Sequence, residues 1–382
     1  MKKLNFLSCL MVLVLSMPAC SSQASRSPRV EVISFQSGSF HIVGDLRLPG
    51  GGGPYPVILF IHGSGPADRI GSGEYLPIME QMLQAGYATF AWDKPGTGES
   101  TGKFDPLQVH SQRAQILLDA IQLMKGRSDI DPAQIGLWGS SQAGYVIPRV
   151  LAQSEDIAFV ICVSCAGMSS ADQMAFQVTA LRLCDVPEEK TGQKAGLLSE
   201  LDQSQTYETY AEYLHYREVL KALADLGSVS IGNWPALPEE AWQKNDPEIQ
   251  GWWNPIEVIE GTTIPVLAIF GDKDRQIDPL QGAYAYRQAL AKAGNPYSRV
   301  EVFTSANHGI MTSETGCPED DSRFYSQWLE QYLKSKGYGS LSEAQEALKA
   351  DPYQPGLISN PPFAPGYLDL IGDWLENLRV SR

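Results

Sequence analysis

A serine hydroxyl is a weak nucleophile until it is held beside a base and clear of its own backbone. A sharp strand-to-helix turn achieves this, and it demands small residues two before and two after the serine, because strand and helix cross closely there. The run Gly139-Ser140-Ser141-Gln142-Ala143-Gly144 meets that demand when counted from Ser141, whose flanking positions are Gly139 and Ala143. Counted from Ser140, the positions hold Trp138 and Gln142, which do not fit. Ser141 is the candidate nucleophile. The plainer reading of the same residues is a serine-rich loop that caps a helix.

Acyl transfer builds negative charge on a carbonyl oxygen, and backbone N–H groups aimed at that oxygen are worth about 3–4 kcal/mol each. His62-Gly63-Ser64-Gly65-Pro66 follows a short apolar run and has the glycines that let a main chain approach a substrate closely. The expected donors are the backbone N–H groups of Gln142 and Ser64, and His62 reads as a structural loop residue. Three aspartates follow the apolar run ending at Gly271: Asp272, Asp274 and Asp278. Asp278 stands before Pro279 and reads as a helix N-cap. Asp272 reads as turn chemistry, which leaves Asp274 as the acid that would orient an imidazole. Of the five histidines, only His308 follows the final apolar run, so it is the expected base. His41, His110 and His215 fall in an edge hairpin, a surface helix and a helical insertion.

These residues need a scaffold. Val30 to Phe35 and Phe40 to Leu48 read as an antiparallel hairpin turning at Ser37-Gly38-Ser39. Val57 to Ile61 is a continuous apolar run, as expected of a strand buried on both faces. Strands follow at 87–92, 135–138, 157–163, 265–270 and 299–303, with helical periods over 74–85, 111–124, 284–293 and 367–378. Strands alternating with helices predict an α/β fold, a doubly wound and mostly parallel sheet. Residues 31–168 and 262–382 would form this core. Residues 169–261 would form a helical cap carrying Trp234, Trp242, Trp252 and Trp253, whose rings would either wall an acyl pocket or pack the cap onto the core.

The order Ser141, Asp274, His308 on such elements resembles the α/β-hydrolase superfamily. Trp92-Asp93-Lys94-Pro95-Gly96-Thr97-Gly98-Glu99-Ser100 is similar to that family's Asp-x-x-Gly-x-Gly-x-Ser loop. Phe270 to Asp274 and Asn307-His308-Gly309 are similar to its acid and histidine loops, and His62 to Arg69 looks like a version found in bacterial capped serine esterases. Ala143 stands where Gly is commoner. The resemblance implies a carboxylic ester hydrolase that needs no metal or cofactor and acts on a small-molecule ester. A serine peptidase or amidase on the same fold is the alternative. Related peptidases often carry a β-propeller first, and the strand beginning near Val57 leaves no room for one. Dehalogenases and epoxide hydrolases of the fold resemble chains with Asp where Ser141 stands. A non-catalytic, ligand-binding surface lipoprotein is the reading from another class.

Composition narrows the classes further. A formal net charge of -15 argues against nucleic acid as a partner, which needs a basic face. The first residues read as a leader: Lys2 and Lys3, an apolar stretch from Leu4 to Met17, then Pro18-Ala19-Cys20. This resembles a bacterial lipoprotein signal, with residues 1–19 removed, Cys20 lipidated as a membrane anchor and residues 20–30 a tether. The protein is thus expected to be exported and held on a bacterial membrane. Cys162 and Cys165 form a C-x-x-C pattern inside an apolar run and read as small buried hydrophobes. Cys184 and Cys317 could pair in an oxidising compartment.

Overall fold

Strand residues with apolar side chains on both faces can only be satisfied between two layers of helix, and this chain has many of them. The computed structural model describes residues 27–105, 108–185, 191–204, 207–226, 236–244, 253–340, 342–343, 346–347 and 362–380. Strands β3 (Tyr55–Ile61), β4 (Ala88–Trp92), β6 (Phe159–Val163) and β7 (Val266–Gly271) are buried at every position but Pro56. With β1 (Arg29–Ser37), β2 (Phe40–Leu48), β5 (Ile130–Ser140) and β8 (Arg299–Phe303) they form one sheet in the order β1-β2-β4-β3-β5-β6-β7-β8. The β1–β2 and β2–β4 pairs are antiparallel and the others parallel. The expected doubly wound sheet with an edge hairpin is therefore present.

Helices α1 (Leu76–Gln84), α2 (Val109–Lys125) and α3 (Ala143–Leu151) follow β3, β4 and β5 in turn. Next come α4 (Ser170–Asp185), α5 (Thr191–Ser204), α6 (Tyr210–Asp225), α7 (Glu239–Trp242) and α8 (Ile256–Gly261), all between β6 and β7. Helix α9 (Pro279–Ala293) joins β7 to β8, and α10 (Pro318–Ser335) and α11 (Tyr367–Val380) follow β8. One apolar cluster lies where α2, α3 and α9 cover the sheet, the other where α1 and α11 cover the opposite face. Strand β3 has β4 on one side and β5 on the other, so the chain leaves it in both directions. Such a switch point opens a crevice at the carboxyl ends of the strands, where α/β sheets bind ligands.

Two expected boundaries are corrected. Strand β1 starts at Arg29, inside the stretch read as a tether over 20–30, because Arg29 pairs with Leu48 and its guanidinium binds Glu31 and Asp129. The cap read over 169–261 ends earlier. Ile256 and Ile259 of α8 belong to the main core, and Trp253 packs against it under the guanidinium of Arg149, 3.9 Å from the ring centroid. Periodicity could not separate α8 from the helices before it, since both bury an apolar stripe. The cysteine reading is corrected as well: Cys162 and Cys165 are joined by a disulfide with their Cα atoms 5.6 Å apart. Ser164 between them takes a positive φ of 46°, which turns the chain at the strand end.

Candidate active site

Strand β5 hands over to α3 at Ser141, which adopts φ 56° and donates its N–H to the Val163 carbonyl at 3.0 Å. A non-glycine residue with positive φ is strained, and such residues concentrate at functional sites. The crossing is tight. A Cβ on Gly139 would sit 2.7 Å from Ala143 Cβ and 2.6 Å from Ile147 Cδ1, so the small residues flanking Ser141 are a steric requirement of this turn. The Ser140 side chain is engaged elsewhere: it hydrogen-bonds the Tyr75 hydroxyl, whose pKa desolvation pushes up to about 12.

The loop after β3 lies against this turn, and a Cβ on Gly63 would fall 3.2 Å from Ser141 Cβ. Among the described residues, neither the Ser64 nor the Gln142 amide donates to another group. Two unengaged N–H groups next to a half-buried serine are what an oxyanion site requires. His62 is buried and holds the Trp92 carbonyl through Nε2 at 2.7 Å. Desolvation lowers its pKa to about 3, so the ring is neutral and structural.

Strand β7 ends in a turn that places Asp274 beside the loop after β8. His308 Nδ1 donates to Asp274 Oδ2 at 2.8 Å. The other oxygen of Asp274 accepts from the N–H groups of Gln276 and Ile277 at 2.8 and 2.9 Å. This buried carboxylate is therefore fully occupied on one side and committed to the imidazole on the other. The neighbouring aspartates do other work. Asp278 caps α9, accepting from Leu280 and Gln281, and Asp272 accepts from the Ala306 amide at 3.3 Å. Close approach of the two loops depends on Gly271, where a Cβ would meet the Ala306 and Asn307 carbonyls at 2.4 Å. Asn307 braces the histidine loop, accepting from Gly309 and Met311 and donating to Asp321 at 2.8 Å.

Three groups at this edge had no role in the sequence reading. Glu74, next to Tyr75, interacts electrostatically with His308. Desolvation raises the Glu74 carboxyl pKa, and the histidine opposes that rise. Lys94 and Arg113 are buried cations that bind the carbonyls of the loop after β3. The one sequence signal for Arg113 was a charge on the apolar stripe of α2, between Val109 and Ile116. Of the cap tryptophans, Trp242 packs on Tyr210 and Tyr213, while Trp234 and Trp252 lie outside the described residues, as does Cys20.

Comparison with known proteins bears on this geometry. The family model of the X-Pro dipeptidyl-peptidase (S15 family) matches residues 39–310. Esterase EstD of Thermotoga maritima is 23% identical over 277 residues, covering 71% of this chain and 58% of that protein. The acylamino-acid-releasing enzyme of Rattus norvegicus is 28% identical over 151 residues, 38% of this chain and 20% of that protein. The chain thus spans only part of the length of these curated relatives. Among solved structures, an esterase of Pyrococcus furiosus aligns with a TM-score of 0.46 at 14% identity, covering 81% of this chain and 91% of that one. With a family model matched across most of its sheet, the chain belongs to the X-Pro dipeptidyl-peptidase (S15) family, within the α/β-hydrolase superfamily.

Proposed function

We propose that the protein is a serine hydrolase that cleaves carboxylic esters through an acyl-enzyme on Ser141. The observation that carries this reading is the Asp274–His308 pair, bonded at 2.8 Å, at the same sheet edge as a serine held at positive φ. Asp274 fixes Nδ1 as the donor, so Nε2 keeps its lone pair for the serine proton. Ser141 Oγ attacks the acyl carbon as its proton passes to His308 Nε2. The oxygen that becomes negative is taken by the Gln142 and Ser64 amides. His308 then returns the proton to the leaving alkoxide. Water, deprotonated by the same nitrogen, attacks the acyl carbon, and the acid leaves as Ser141 regains its proton. EstD, a relative over 71% of this chain, is an esterase, which supports the ester reading.

The family match favours a second reading, a peptidase or amidase using the same groups. Nitrophenyl esters and amino-acid nitroanilides, including one with proline before the scissile bond, separate the two when assayed side by side. Hydrolysis of the esters alone, lost in Ser141→Ala, is the expected result. Faster turnover of the prolyl anilide would reverse the assignment. Export and anchoring through a lipid on Cys20 are part of the same proposal. A fatty-acid analogue should label the wild type and not Cys20→Ala, and equal labelling of both would refute the anchor.

A further inference from the structure

A trans peptide is planar, and its C=O and N–H point in opposite directions. Whatever grips a carbonyl therefore aims the amide of the next residue. In the loop after β3, Lys94 Nζ donates to the Gly63 carbonyl at 3.0 Å and also to the Gly65 carbonyl. Arg113 Nη2 donates to the His62 carbonyl, and its Nη1 donates to Gln142 Oε1 at 2.6 Å. The carbonyl held by Lys94 belongs to the peptide unit whose N–H is that of Ser64. The residue held by Arg113 on its other side carries the second unengaged amide. We propose that Lys94 and Arg113 are positioning residues for the oxyanion site, fixing the loop 62–65 by its carbonyls so that its N–H groups face the reacting oxygen above Ser141.

Several observations support this assignment. Both cations are buried, with side chains reaching the loop from two different elements, the segment after β4 and helix α2. Burying a cation without a carboxylate partner is costly, and the side-chain hydrogen bonds of Lys94 and Arg113 end on backbone carbonyls or on Gln142. Burial lowers Lys94 to about 6, with Arg113 as the second cause, and burial lowers Arg113 to about 10. Charged or neutral, the lysine nitrogen keeps hydrogens for both carbonyls. The loop itself offers little else to hold it: Gly63 is half-buried, Ser64 and Gly65 are exposed, and Gly65 has a positive φ of 73°. Hydrogen bonding to the Gly63 carbonyl also polarises that peptide, strengthening its N–H as a donor.

This inference rests on the serine-hydrolase reading and is tested separately from it. Lys94→Met, Lys94→Arg and Gln142→Leu are compared with wild type and Ser141→Ala on one nitrophenyl ester, together with the affinity of a trifluoromethyl ketone that mimics the oxyanion adduct. Losing a whole oxyanion donor costs about 10²–10³ in rate, so mis-aiming one should lower kcat about 10- to 100-fold in Lys94→Met, with KM nearly unchanged. The ketone should weaken in parallel with kcat/KM. Lys94→Arg should recover part of the rate, because a longer cation still reaches the carbonyls. Gln142→Leu keeps its backbone amide but frees Arg113 from the elbow, and it should show a smaller loss of the same kind. It also keeps the test decisive if Lys94→Met does not fold. Wild-type kcat in folded Lys94→Met or in Gln142→Leu, or unaltered ketone binding, would overturn the inference. Full activity in Ser141→Ala would instead overturn the parent reading.

Discussion

The carboxyl edge of the sheet and the helices inserted after β6 are built on opposite principles. At the edge, each loop is fixed by polar partners within it and on its neighbours: Asp274 by the turn amides and His308, Asp93 by Arg69 and the Glu99 amide, the loop 62–65 by Lys94 and Arg113. In the insertion, apolar side chains of α4, α5 and α6 pack mainly on one another, around Val178, Leu201, Tyr216 and Leu220. Its covalent tie to the rest is the disulfide between Cys184 of α4 and Cys317, ahead of α10. The lesson is a division of labour. Chemistry needs atoms placed within fractions of an ångström and sits on the sheet, whereas the insertion is held chiefly by its own apolar contacts and reaches the acid loop through Gln173, which donates to the Gln276 carbonyl.

The largest effects should therefore come from the edge. His308→Ala should lower kcat by roughly 10⁶-fold and Asp274→Asn by roughly 10⁴-fold, as measured for the equivalent roles in a well-studied serine protease. Asp278→Asn, four residues from Asp274, should leave kcat nearly unchanged. Steady-state kinetics on the three variants checks the order, and comparable losses at Asp278 and Asp274 would contradict it. The insertion should behave differently. Cys184→Ser opens a tie spanning 133 residues and should cost about 2–4 kcal/mol of stability in thermal or urea unfolding. The rate on a small ester should hold within a few-fold, and a rate loss as large as that of Asp274→Asn would erase the distinction.

A third contrast concerns acid. Burial lowers His62 and His110 to about 3, from 6.5 in an unfolded chain. Below about pH 6.5 the unfolded state takes up protons that these native imidazoles refuse, so it binds more protons. Their contribution to stability is thus complete above that pH and lost as pH falls towards 3. The melting temperature should fall through this window, and His62→Gln should flatten the slope. An unchanged slope would show that other groups govern it. A last contrast separates two glycines. Gly139→Ala meets Ala143 and Ile147 and should damage both folding and rate. Gly196→Ala, with nothing within 4 Å in α5, should gain about 0.5–1 kcal/mol in thermal unfolding with no change in kcat.

The same contrast governs what the sequence discloses. Gly139, Ser141 and Ala143 are legible because a tight crossing imposes residue types at fixed offsets. Asp278 before Pro279 is legible because capping is local. The buried strands announce themselves as apolar runs. The boundary at α8 is not legible, since Ile256 and Ile259 would look the same packed on the core or on the insertion. Nor is the clamp of Lys94 and Arg113, whose partners are carbonyls that every residue carries. The Cys162–Cys165 bond is hidden for a related reason: an apolar run containing cysteines does not say where the strand stops, and the turn at Ser164 decides it.

The central claim is that Ser141 reacts and Ser140 does not. Incubation with a fluorophosphonate, followed by mass spectrometry of the peptide spanning both serines, tests it directly. The account predicts a single covalent adduct on Ser141, retained in Ser140→Ala and abolished in Ser141→Ala and strongly slowed in His308→Ala. An adduct that persists in Ser141→Ala, or that maps to Ser140, would contradict it.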